Sequence, residues 1–90
     1  MDISGKTALV TGSAVGVGRA TALALARRGA SVVVNYSRSE AEARQTAADV
    51  EALGAKALLV RADVSEDDQV RDMVKRTVDR FGSLDVLVNN

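Results

Sequence analysis

The sequence has no cysteine, no histidine and no proline, and its only aromatic residues are Tyr36 and Phe81. Without cysteine or histidine there is no disulfide, no thiol nucleophile, no imidazole base and no zinc site of the usual composition. Two aromatic rings are too few for a base-stacking platform. Twelve basic side chains balance twelve acidic ones, so the surplus of positive charge that a nucleic-acid binder uses to neutralise phosphates is missing. No apolar run approaches the roughly 20 residues of a membrane span, and the opening Asp2-Ile3-Ser4-Gly5-Lys6 has no apolar targeting core. A cytoplasmic protein with neither nucleic acid nor membrane as partner is expected. Since proline is absent, no helix or strand is interrupted from within.

What is present is one domain's worth of ordinary globular sequence: 90 residues, 47% hydrophobic and 27% charged. A short grammar occurs three times, in Arg28-Gly29-Ala30-Ser31-Val32-Val33-Val34, Leu53-Gly54-Ala55-Lys56-Ala57-Leu58-Leu59-Val60 and Phe81-Gly82-Ser83-Leu84-Asp85-Val86-Leu87-Val88. Each copy ends a helical stretch, sets a glycine where a left-handed helix stop is wanted, and launches an apolar run. The spacing predicts strands near 6–11, 31–36, 56–61 and 84–89, and helices near 16–28, 40–53 and 66–80. Val70, Met73, Val74, Thr77, Val78 and Phe81 form one continuous helical stripe. Ser39 and Ser65 are the expected N-caps.

The strands are apolar nearly throughout, the mark of parallel strands covered on both faces. The fold class is therefore α/β: a partial doubly wound, Rossmann-like parallel sheet, βαβαβαβ, with expected strand order 3-2-1-4. In that order the first two helices share one face and the third stands alone on the other. Apolar surface and an open edge at the last strand are left over, which predicts self-association into a homo-oligomer.

The first strand-to-helix turn reads Thr11-Gly12-Ser13-Ala14-Val15-Gly16-Val17-Gly18. Glycines there let the backbone turn tightly and approach a pyrophosphate closely. The spacing G-x-x-x-G-x-G differs from G-x-G-x-x-G, and it is no P-loop, since Val17, Gly18 and Arg19 stand where that motif needs Gly, Lys and Ser or Thr. The second helix opens with Glu40 and Glu42, and the third with Glu66, Asp67 and Asp68, acids that favour a positive helix end and are read as such rather than as a metal cluster. The glycine-rich helix opens with none. Its dipole end is left for an external anion.

Thr11-Gly12-x3-Gly16-x-Gly18, with Asp63-Val64 after the third strand and Asn89-Asn90 after the fourth, resembles the short-chain dehydrogenase/reductase family over the whole chain. The resemblance implies a nicotinamide dinucleotide cofactor, with Gly12, Gly16 and Gly18 lining the pyrophosphate and Ser13, Val15 and Val17 beside them in the same turn. It further implies that Asp63 accepts from the adenine amino group, that Val64 lies beside the ring, and that Asn89 lies near the adenine ribose and locks the central strands. The segment Val32 to Ser39 is most similar to that of 3-oxoacyl-carrier-protein reductases and glucose dehydrogenases.

Cofactor choice falls to the end of the second strand, where an acid would hold a ribose 2′-hydroxyl and repel a 2′-phosphate. The segment Asn35-Tyr36-Ser37-Arg38-Ser39 carries no acid. Tyr36 takes the acidic position, and Ser37 and Arg38 can donate to a phosphate. NADP is expected as the preferred cofactor, with NAD possible because Val15 stands where the family often adds a second basic residue.

The family's chemistry runs on Ser and Tyr-x3-Lys, with an Asn from a later helix. No catalytic residue can be assigned here: Tyr36 is the sole tyrosine, and four residues on stands Glu40. Residues 1–90 are thus read as the N-terminal dinucleotide-binding portion of a single domain, inactive alone. The parent would transfer hydride between nicotinamide and a small carbonyl or alcohol substrate. A non-catalytic nucleotide-binding module and a self-associating structural half-domain remain as alternatives.

Overall fold

In a computed structural model that describes residues 2–90, four strands and three helices alternate. They are β1 (Thr7–Val10), α1 (Gly16–Arg27), β2 (Ser31–Tyr36), α2 (Glu40–Ala52), β3 (Ala57–Arg61), α3 (Asp67–Phe81) and β4 (Val86–Val88). The sheet order is β3-β2-β1-β4 and every pairing is parallel, so fold class and topology are as the sequence predicts. The elements fall within a residue or two of expectation. β4 is shorter at its start, where the Thr7 N–H is taken by the Asp85 carboxylate at 2.9 Å and not by a strand carbonyl.

The core has two unequal halves. On one face Val10, Val32, Val34 and Tyr36 pack against Ala22 and Ala26 of α1 and Ala43 and Val50 of α2. The alanines let both helices approach the sheet closely. On the other face Leu9, Val33, Val60 and Ala62 meet Met73 of α3. One helix cannot cover four strands: Leu87 at the β4 edge is 63% exposed, and Val64 and Val78 are also open. Burying a side chain of this size is worth about 1.5–3 kcal/mol, so this face retains unused burial energy.

Gly29, Gly54 and Gly82 follow the three helices with φ of 89°, 90° and 86°, the left-handed stop that only glycine adopts without strain. The two serines behave differently from the expectation. Ser39 occupies the N-cap of α2 but makes no side-chain cap. Ser65 is not the N-cap of α3, a position held by Glu66. Its hydroxyl instead donates to Asp63 Oδ1 at 2.7 Å, because a neighbouring carboxylate is a stronger acceptor and takes the hydroxyl out of capping geometry.

Candidate functional site

The C-terminal ends of the parallel strands carry the loops where α/β sheets place ligands. The turn after β1 is built on Gly12 and Gly16, with φ of 59° and 60°. Helix α1 then begins with Val15 as N-cap, no side-chain cap and no acid in its first turn. Its first closing bond is Arg19 N–H to Val15 O at 3.2 Å, which leaves the amides of Gly16, Val17 and Gly18 at an open, positive helix end. A Cβ on Gly16 would meet nothing within 4 Å, whereas one on Gly18 would lie 2.2 Å from the Gly12 carbonyl oxygen. Gly16 thus borders open space, and Gly18 lets helix and turn touch.

The turn is braced from three sides. Asn35, 2% exposed, accepts the Gly12 N–H on Oδ1 at 3.1 Å and donates from Nδ2 to the carbonyls of Val60 and Ala62 at 3.3 and 3.2 Å. Thr46 of α2 donates to Ala14 O at 2.9 Å and accepts from Arg19, whose guanidinium also pairs with Asp49. Asn90 donates its backbone N–H to Thr11 Oγ1 at 2.9 Å and its Nδ2 to Gly12 O at 3.1 Å. The sequence reading missed all three. Asn35 had one available signal, a polar residue at the end of an otherwise apolar buried strand.

Ser13 differs from its expected position among the ligand-lining residues. Its hydroxyl is fully buried, donating to Val10 O at 2.8 Å and accepting from Asn35 N–H at 3.0 Å, so it is a strut under the turn. Tyr36 is also largely buried, and its hydroxyl donates to Glu40 Oε1 at 3.0 Å. Burial and that hydrogen bond push the phenol above its ordinary pKa.

Gly12, Val15, Tyr36, Ser37 and Arg38 border one open groove. Ser37 and Arg38 continue into a second with Arg61, Asp63 and Gln69. The two form one path from the glycine turn along the ends of β2 and β3. Asp63 accepts both the Ser65 N–H and hydroxyl on Oδ1, which holds its carboxyl below the usual range. Val64 and Asn89 border a separate apolar hollow with Leu9, Val70, Met73 and Leu87 on the α3 face. Asn89 Oδ1 accepts from the Thr11 hydroxyl at 3.4 Å, while the shorter bonds between the central strand ends belong to Asn90. Val17 is 75% exposed beside the helix end.

The family model described as short chain dehydrogenase matches residues 6–90. The chain belongs to the short-chain dehydrogenase family. It is 46% identical over 90 residues to a short-chain dehydrogenase/reductase homolog of Bacillus subtilis, covering 100% of this chain and 83% of that one. It is 47% identical over 88 residues to a 3-oxoacyl-[acyl-carrier-protein] reductase of Synechocystis, covering 98% of this chain and 36% of the reductase. A short chain dehydrogenase from Burkholderia cenocepacia, solved in complex with NADP, superposes with a TM-score of 0.95 at 43% identity, covering 100% of this chain and 37% of that one. The chain thus spans only about a third of the length of several members it matches.

Within this member of the short-chain dehydrogenase family the described residues bring no Tyr-x3-Lys together. Glu40 occupies the position four after Tyr36 and accepts its proton in a hydrogen bond. Among the described residues of this family member, no group of three or more His, Cys, Asp or Glu side chains could hold a metal, and no helix is long and apolar enough to cross a membrane. Glu66 holds the N-cap position of α3 without a side-chain cap bond, Asp67 and Asp68 lie in its first turn, and Asp67 pairs with Arg71.

Proposed function

We propose that this chain forms the dinucleotide-binding part of a short-chain oxidoreductase that prefers NADP over NAD. The observation that carries the reading is the groove that begins at Gly12 and Val15, beside a helix start with no acid in its first turn, and runs past Arg38 to Asp63. A pyrophosphate fits the first end: the amides of Gly16, Val17 and Gly18 lie at the helix end, and the space beside Gly16 is what a Cβ would fill. Val15 borders it, and Ser13 supports the turn from below. Tyr36, Ser37 and Arg38 receive the adenosine ribose, where the guanidinium suits a 2′-phosphate and no carboxylate competes for the 2′-hydroxyl. Asp63 takes the adenine amino group with Oδ2, the oxygen not used by Ser65. Val64 and Asn89 flank the adenosine from the α3 side.

When bound, the nicotinamide supplies or accepts a hydride at the carbon of a small carbonyl or alcohol substrate. This chain's own residues bind and orient the nucleotide; none of them is assigned a proton-transfer step, and the 90 residues alone are expected not to turn over. The reading carries a cytoplasmic location. It also carries homo-oligomer formation through the half-covered face and the β4 edge.

Calorimetric titration of the 90-residue chain with NADPH and NADH tests the proposal. Binding of both, with NADPH tighter, is the expected result. Binding of neither overturns the dinucleotide reading, and equal or tighter NADH binding that Arg38→Ala leaves unchanged overturns the NADP preference. NADPH-dependent reduction of a carbonyl compound by the 90-mer would overturn the assignment of no turnover.

A further inference from the structure

The second basic residue of the groove lies outside the glycine turn and outside the loop that follows β2. Arg61, the last residue of β3, is registered directly opposite Tyr36, the last residue of β2. The chain leaves Tyr36 straight into Ser37 and Arg38, so both arginines start from one corner of the sheet. Val60 and Ala62 on either side of Arg61 are buried against α3, and strand alternation therefore sends Arg61 to the other side, that of Tyr36. Both guanidinium-bearing residues are exposed and border the same open cleft of about 650 Å³.

Charge in that cleft is uneven. The ion pairs among the described residues are Arg19–Asp49, Arg44–Glu40, Arg71–Asp67 and Lys75–Asp79, and neither Arg38 nor Arg61 belongs to one. Facing them are Asp63, with Oδ1 held by Ser65, and, beyond the cleft's lining but within Coulomb reach of Arg61, Glu40, whose charge is already matched by Arg44. Asp63 lies within Coulomb reach of Arg38 and offsets part of its charge, so an anion arriving at Arg38 alone gains less than it would from two cations. With Arg61 the cleft keeps a surplus of one positive charge (two arginines against one aspartate) and two guanidinium forks on opposite strand ends. A phosphate monoester, with a charge of about −1.5 to −2 at neutral pH and three acceptor oxygens, matches that arrangement better than a pyrophosphate oxygen.

We propose that Arg61 is the second cation for a phosphate monoester dianion held against Arg38, and that it determines the preference for a dinucleotide carrying a 2′-phosphate. The proposal rests on the dinucleotide reading above and adds a residue from a different strand to its specificity. Arg61 offsets Asp63, so the adenine-side carboxylate and a phosphate can occupy one cleft.

The test is calorimetric titration of the 90-residue chain and its Arg38→Ala, Arg61→Ala and Arg61→Gln variants with NADPH and with NADH. Arg61→Ala is expected to weaken NADPH binding about tenfold, the loss of one charge-assisted contact, while NADH binding stays within about twofold. Arg61→Gln keeps the aliphatic stem and should show the same loss of discrimination, which guards against a folding effect in the alanine variant. An NADPH to NADH affinity ratio unmoved by both Arg61 variants, although Arg38→Ala lowers it, overturns the role of Arg61 and leaves the cofactor reading standing. Equal weakening of both nucleotides also overturns it. Failure of the unsubstituted chain to bind either nucleotide removes the reading and this inference together.

Discussion

Asn35 accepts the Gly12 N–H at 3.1 Å, across 23 residues of sequence, and this one bond ties the glycine turn to the end of the neighbouring strand. The same buried amide donates to the carbonyls of Val60 and Ala62, so the turn after β1 and the segment leading to Asp63 hang on one side chain. A buried amide with donors and acceptors both satisfied is hard to replace, since any isostere leaves a buried group unpaired. Asn35→Leu is expected to lower stability by about 2–4 kcal/mol, read from the urea midpoint. Asn35→Asp keeps the acceptor but loses both donated bonds and buries a charge, and should be no better tolerated.

Gly16 and Gly18 separate two uses of glycine. Gly18→Ala drives a Cβ to 2.2 Å from Gly12 O and 2.7 Å from Asn90 Nδ2, so the turn must move; a cost of about 1–3 kcal/mol is expected. Gly16→Ala meets no atom within 4 Å but must hold φ near 60°, at a cost of about 1–2 kcal/mol. Its main effect is expected on nucleotide binding, because the methyl fills the space proposed for the pyrophosphate. Thermal melts with and without NADPH distinguish the two variants.

Acid is expected to loosen the β1–β4 pairing. Asp85 Oδ2 accepts the Thr7 N–H and the Ser83 hydroxyl, both at 2.9 Å, and the Thr7 bond followed by the Ser83 bond holds its carboxyl below the ordinary aspartate range. A carboxyl with a lowered folded-state pKa contributes stability in full above its unfolded value, and the contribution is lost as pH falls through the folded value. Asp63, Asp49 and Glu40 shift in the same direction. Urea midpoints measured from about pH 7 to about pH 3 should fall toward acid, and Asp85→Ala should be less stable at neutral pH with a shallower acid limb. An unchanged acid limb would contradict the role given to Asp85.

The half-covered face should make the isolated chain associate. Leu87 is 63% exposed on the strand that ends the sheet, beside a hollow bordered by Val64, Val70 and Val74. Sedimentation equilibrium is expected to show oligomers that Leu87→Lys shifts toward monomer by placing a charge on the open edge. A monodisperse monomer of the unsubstituted chain would contradict the expectation.

Element positions were legible because they depend on neighbours in sequence. The apolar runs, the helical stripe ending at Phe81 and the three helix-stopping glycines act within a few residues, and local sterics decide them. Right-handed crossovers and the glycine turn then select the strand order. The missing acid at the start of α1 was equally visible, since a helix dipole acts on its own first turn.

The contacts that shape the site were not legible, because each joins residues far apart in the chain. Ser13 reads as a loop residue beside a ligand, yet close packing under the turn gives its hydroxyl two internal partners. Asn90, and not Asn89, holds Gly12, since strand register decides which side chain reaches across. Arg61 reads as an exposed strand-end charge until register with Tyr36 sets it beside Arg38. Sequence by itself determined the class of fold, the glycine turn and the acid-free helix end, all products of local geometry and local electrostatics. Only the tertiary structure decided which polar groups brace the turn and which charges share its cleft, because hydrogen bonds and Coulomb forces act over ångströms of space and are indifferent to separation along the chain.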